Sequence, residues 1–223
     1  MMKIDYATDA MRSFARVLHG PDCEGVVFSA GTTFRVEQPF TGSLRLIDQA
    51  LLAVAANLKA DVRRRGKGEG TALNDSLSEA ISHVCRYGDP SYPHVLLCST
   101  DGKDNRSKRF TSARKTGEHI RDRFTRIPGN FAFLIGCGQD IDRHALTLIG
   151  EAGRFPAVLL DQFSELKSVL SSLAVKVTRT LQQTTVRGPD FALTSTRPTL
   201  LLESRPLRYA LLLDRSGSMV EAG

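Results

Sequence analysis

Four short unbroken apolar runs constrain this chain most: HVLLCST (94–100), FAFLIGC (131–137), PAVLLD (156–161) and RYALLL (208–213). A strand with one face in water alternates apolar and polar residues, whereas a strand covered on both faces reads as a continuous apolar run. The intervening segments carry the other periodicity. Apolar residues three and four apart mark amphipathic helices over 4–18 (Ile4, Ala7, Met11, Phe14, Leu18), over 42–58 with Thr41 as cap, and over 72–87 (Leu73, Leu77, Ile81, Val84). Three more helices are predicted over 110–127, 140–151 and 162–182. Buried strands alternating with helices imply right-handed crossovers and an α/β fold, a doubly wound, mostly parallel central sheet with helices on both faces. The run EGVVFSAGTTFRVEQ (24–38) reads as a hairpin turning at Ala30-Gly31, with Gly31 taking the positive φ of a tight turn, and supplies one antiparallel edge strand.

The end of the chain breaks this rhythm. Residues 1–183 hold the first helix through the last and form the core, 184–205 show no sustained period and read as a linker, and 206–223 carry one more buried strand. That strand needs partners for its backbone and its side chains, so it must complete a sheet, its own or a neighbour's. A linker of 22 residues reaches at most about 70 Å, against a radius of gyration near 17 Å for a globule of this length. Closure within one chain and exchange between two chains as a strand-swapped dimer are both open.

Composition excludes several classes. The 223 residues are 41% hydrophobic and 24% charged, which suits a folded domain rather than a disordered one. No stretch approaches the roughly 20 apolar residues of a membrane span, and the N-terminus has no apolar signal core. Four scattered cysteines without CxxC read as free thiols of a reducing, cytoplasmic setting. The net charge of +6 permits an acidic partner without requiring one. With no tryptophan and no HExxH or GxSxG, neither a single-strand nucleic-acid platform, a zinc peptidase nor a hydrolase elbow is supported.

Directly after the last strand stand Asp214, Ser216 and Ser218 in a DxSxS pattern. Open α/β sheets build their ligand crevice at the carboxyl ends of the strands, and two further residues are expected there. Asp101 follows the strand 94–100 in TDGKDN, and Thr71 lies in GEGTALND just before a helix. Two carboxylates and three hydroxyls are hard oxygen ligands, suited to Mg²⁺ with Mn²⁺ or Ca²⁺ as substitutes. Each residue also has a plainer role open to it: Ser216 and Ser218 as helix caps, Asp101 in an Asp-Gly turn, Thr71 as an N-cap.

DRSGSM after an apolar strand, the threonine of GEGTALND and the aspartate of STDGKDN resemble the three-part metal-ion-dependent adhesion site of von Willebrand factor type A (VWA) domains. The resemblance extends over the βα order and implies a Rossmann-like VWA fold. It also implies direct Mg²⁺ ligation by Ser216 and Ser218, with Thr71 binding directly or through water and Asp214 and Asp101 mainly through water. An open coordination position would take a Glu or Asp carboxylate of a protein partner. One departure is the order: in that family the DxSxS strand comes first. Joining Gly223 to Met1 restores it, so the chain resembles a circular permutant whose residues 208–213 must insert between the first hairpin strand and the strand at 94–99.

The expected function is therefore a non-enzymatic, Mg²⁺-dependent protein-interaction module. A basic nucleic-acid-associated module using Arg63, Arg64, Arg65 and Lys67 on a glycine-broken loop (61–71) is the alternative. A Mg²⁺ phosphohydrolase is the third, and the lack of an evident general base counts against it.

Overall fold

In the computed structural model, residues 1–65, 70–184 and 206–220 are described. In chain order the elements are α1 (Lys3–Leu18), β1 (Glu24–Ala30), β2 (Phe34–Thr41), α2 (Leu44–Arg65), α3 (Leu73–Tyr87), β3 (His94–Thr100), α4 (Ala113–Ile120), β4 (Phe131–Cys137), α5 (Arg143–Gly153), β5 (Ala157–Leu160), α6 (Leu166–Thr184) and β6 (Arg208–Asp214). A π turn, Arg121–Thr125, follows α4, and 3-10 turns flank α6 and β6 at Phe163–Glu165 and Gly217–Val220.

One six-stranded sheet has the order β2-β1-β6-β3-β4-β5. β2 runs antiparallel at the edge, and every other pairing is parallel. The last strand thus occupies the middle, between β1 and β3 as expected, and all seven of its residues are buried. Its alternation explains the unbroken apolar run. Tyr209, Leu211 and Leu213 face a core shared with α1, α2 and α6, while Ala210 and Leu212 face a second core shared with α3, α4 and α5. Each large side chain so buried contributes about 1.5–3 kcal/mol relative to exposure.

Four local expectations change. α2 continues to Arg65 rather than stopping near residue 58. Lys59 to Arg65 contain good helix formers and no glycine, Val62 packs on the core, and cations in a last turn favour the helix dipole. Arg63, Arg64 and Arg65 therefore sit on helix rather than loop; residues 66–69, Lys67 among them, lie outside the described residues. The cap of α2 is Ser43, whose hydroxyl accepts the Leu46 N–H at 3.4 Å, while Thr41 still belongs to β2. Gly31 does not take a positive φ, since the hairpin turns over three residues, 31–33, which relaxes the demand of a two-residue turn. Finally, the predicted 110–127 helix starts at Ala113 and widens into the π turn. Here α4 crosses α5 so closely that a Cβ on Gly117 would meet the Ile149 carbonyl at 2.4 Å. The expected linker, apart from Thr184, falls outside the described residues.

Candidate functional site

The carboxyl ends of β6 and β3 lie side by side, with Ser99 in register with Leu213 and Ala30 of β1 in register with Asp214. The chain leaves both strands into the same crevice, carrying Asp214, Ser216 and Ser218 from one and Asp101 from the other. Thr71 arrives from the segment before α3. All five expected residues are thus brought together.

Their oxygens form one connected set. The Ser218 hydroxyl donates to Asp101 Oδ1 at 2.8 Å and the Ser216 hydroxyl donates to the same oxygen at 3.2 Å, with the two serine oxygens 2.9 Å apart. The Thr71 hydroxyl donates to Asp214 Oδ1 at 3.3 Å, and that oxygen also accepts the Ser216 N–H at 2.8 Å. Asp214 is fully buried, Asp101 and Thr71 are each 2% exposed, and Ser216 is buried. Burial raises the pKa of both carboxyls. Asp214 is pushed up to about 6 by burial first and by the charge of Asp101 second. Asp101 is raised by burial, against the pull of Ser218, Lys3 and Ser216.

The scaffold holding these loops is hydrogen-bonded backbone. The hairpin turn accepts from both sides: Ala30 C=O takes the Arg215 N–H and Gly31 C=O takes the Ala72 N–H, each at 2.7 Å. Across the crevice, Asn105 accepts the Thr71 N–H at 3.0 Å through its side chain, while the Thr71 C=O accepts the Asn105 and Arg106 N–H groups. The loop after β3 also caps α3, whose own N-cap residue, Ala72, offers no side-chain cap. Asp104 accepts the Asn74 N–H and Ser107 accepts the Asp75 N–H, both at 3.0 Å. In return the Asp75 carboxylate accepts the N–H groups of Lys108, Arg109 and Phe110. Those bonds hold Asp75 below the usual carboxylate range in spite of its burial.

Sequence reasoning missed two members. Thr100 donates to Asp214 Oδ2 at 2.5 Å and accepts the Gly102 N–H at 3.2 Å. Its place just before Asp101, at the strand end, was the available signal. Lys3, in the first turn of α1, brings its ammonium to 3.4 Å from Asp101 Oδ2. Nothing in the linear sequence links Lys3 to a carboxylate at position 101.

The donor chemistry fits a hard divalent ion. Two buried carboxylates converge with three hydroxyls, although nowhere among the described residues, this site included, do three or more His, Cys, Asp or Glu gather as a metal-holding group. The backbone leaves room as well: a Cβ on Gly102 would stand 3.5 Å from Thr71 Oγ1, 3.8 Å from Asp214 Oδ2 and 3.9 Å from Ser216 Oγ. Glycine keeps that cradle clear. Arg63, Arg64 and Arg65 are exposed at the end of α2, with Arg64 paired to Asp61 at 3.0 Å. All four cysteines are unpaired, and among the described residues no helix is long and apolar enough to cross a membrane.

No family model and no curated protein matches the chain. Solved structures do share its fold. One is a von Willebrand factor type A structure from Catenulispora acidiphila, with a TM-score of 0.59 at 18% identity over 78% of this chain and 38% of that chain. Another is proximal thread matrix protein 1 of the mussel byssus, with a TM-score of 0.58 at 16% identity over 77% of this chain and 41% of that one. That protein also matches, at a TM-score of 0.55 and 16% identity over 78% of this chain and 42% of that one, in a structure with a zinc-occupied MIDAS motif. BatB, a conserved hypothetical protein of Bacteroides thetaiotaomicron, matches at a TM-score of 0.55 and 12% identity over 79% of this chain and 88% of that one. The fold is therefore VWA-like. This chain spans only 38% and 41% of the length of the first two matches.

Proposed function

We propose that this chain is a Mg²⁺-dependent protein-binding module whose metal is held by Thr71, Asp101, Asp214, Ser216 and Ser218. One observation carries the reading: three separate stretches of chain deliver five side-chain oxygens, two from buried carboxylates, to one crevice, three of the residues within 4 Å of a Cβ on Gly102 and the others hydrogen-bonded to them. When bound, the ion offsets the two carboxylate charges and offers a Lewis-acidic position to an incoming carboxylate. Ser216, Ser218 and Thr71 contribute neutral oxygens that cancel none of the ion's charge, so the ion itself keeps an attraction for an acidic residue of a partner. The zinc-occupied MIDAS motif of the mussel protein supports metal binding by this fold. Mn²⁺ or Ca²⁺ would substitute.

A binding role fits better than catalysis because the site offers no evident general base apart from the two carboxylates that would hold the metal. Four unpaired thiols favour a reducing compartment. The arrangement also supports a permuted order within one domain. β6 pairs with β1 and β3, and the Gly217–Val220 turn that follows it packs against α1. Residues 206–223 would then complete the core of 1–183, and a closed monomer is the simplest form.

A displayed library of random peptides, selected in Mg²⁺ and eluted with EDTA, tests the function. Recovered peptides should share a Glu or Asp, lose binding on Glu→Gln or Asp→Asn, and fail to bind Asp214→Ala protein. No enrichment of EDTA-eluted peptides, together with binding of an oligonucleotide that ignores EDTA and weakens steeply with salt, would favour the nucleic-acid alternative.

A further inference from the structure

Lys3 occupies the first helical position of α1, where the helix dipole disfavours a cation. A lysine there ordinarily reaches into water. Instead its side chain is only 13% exposed, and its ammonium stands 3.4 Å from Asp101 Oδ2 and 6.0 Å from the centre of the Phe163 ring. The Asp101 side chain has no exposure at all, and its other oxygen is taken by Ser216 and Ser218. Burying a carboxylate is strongly unfavourable unless it is paired. Lys3 is thus placed against its helix preference and in favour of Asp101.

We propose that Lys3 is a tethered cation that neutralises Asp101 in the metal-free protein and competes with the divalent ion for it. This rests on the metal-site reading above. A cation arriving beside Ser216 and Ser218 adds positive charge within a few ångströms of the ammonium, so the two repel, and each weakens the other's hold on Asp101. The ammonium has somewhere to go. Lys3 lines a cavity of about 480 Å³ that Tyr6, Asp140, Asp161 and Ser164 also line. Asp161 pairs there with Arg143, and Asp140 supplies a second carboxylate. Lys3 thereby sets the metal affinity of the site and keeps the metal-free form folded.

Mn²⁺ titration by calorimetry, together with melting curves in EDTA, tests this on wild type, Lys3→Met and Lys3→Gln. Both variants remove the charge, and Gln keeps a hydrogen-bond donor near Asp101 should Met prevent folding. The expected result is Mn²⁺ binding at least about tenfold tighter than wild type, the scale of ordinary coupling between two sites. In EDTA the melting point of the variants falls, and added Mn²⁺ raises it by more than it raises the wild type. Binding equal to or weaker than wild type, with the wild type still binding through Asp214, overturns the competition while leaving the metal site standing. If no Mn²⁺ binds to any of the three proteins, the metal-site reading fails and takes the competition with it.

Discussion

Ser218 and Asp101 are 117 residues apart in sequence and 2.8 Å apart in space, joined by a hydrogen bond from the serine hydroxyl to the carboxylate. The contact forms only because β6 inserts beside β3, so the proposed metal site and the middle of the sheet are built together. If the order is a permutation, the cut is covalent rather than structural. Joining Gly223 to Met1 and opening the chain within 184–205 should give a protein with the same fold. Calorimetry should find its Mn²⁺ affinity within about threefold of the original, as expected where termini lie at the surface of one domain. A relinked chain that fails to fold would count against a single domain in rearranged order.

Asp214→Asn separates stability from binding. The carboxylate is fully buried with a raised pKa, so at neutral pH its ionised form destabilises the metal-free fold. The amide removes that charge, its oxygen still accepts the Ser216 N–H, and its NH2 donates to the Thr100 hydroxyl where Oδ2 had accepted from it. In EDTA the variant should melt about 2–4 °C higher, equivalent to about 1 kcal/mol, while Mn²⁺ should no longer raise its melting point. A lower melting point in EDTA would contradict the assignment of Asp214 as a strained ligand.

Thr100→Val should cost more than the near-equal size of the two side chains suggests, because Thr100 is fully buried. It removes the donor to Asp214 Oδ2 and the acceptor of the Gly102 N–H. Leaving such groups unpaired costs about 1–3 kcal/mol. Thermal melts should show the loss, and Thr100→Ser should recover most of it.

Gly102→Ala probes the cradle itself. A methyl there meets the site oxygens at 3.5–3.9 Å, ordinary contact that the metal-free protein tolerates. Melting in EDTA should change by less than about 2 °C, roughly 1 kcal/mol or below. Mn²⁺ affinity should nonetheless fall by about tenfold or more, because the methyl crowds three of the oxygens proposed to hold the ion.

Asp75 gives the pH prediction. Hydrogen bonds from three backbone N–H groups depress its pKa below the unfolded value of 3.8. A depressed carboxyl contributes stability that is full above the unfolded value and is lost as pH falls through the lower folded one. The melting-point gap between wild type and Asp75→Asn should therefore be constant from neutral pH to about 5 and close on further acidification. A gap that widens in acid would contradict the clasp between α3 and the loop after β3.

Much of this was readable from the chain because local pattern and global fold agree. The unbroken runs at 94–100, 131–137 and 208–213 are strands covered on both faces, and Asp101, Thr71 and the DxSxS residues sit at the crevice they were expected to share. What escaped was set by contacts distant in sequence. Gly31 looked like a tight-turn glycine, yet its role is a carbonyl that holds Ala72. Lys3 carried no local signal because its partner lies 98 residues away. Arg63 to Arg65 were read as loop from the glycines beyond them, although the propensity of Lys59 to Arg65 carries the helix on.

Mg²⁺ and Mn²⁺ titration of the wild type against the Ser216→Ala/Ser218→Ala double variant tests the central claim most directly. The account predicts one Mn²⁺ per wild-type chain, displaced by excess Mg²⁺, and no binding by the double variant although it still folds. Binding that survives the loss of both hydroxyls, or a folded wild type that takes up no divalent ion at millimolar concentration, would contradict it.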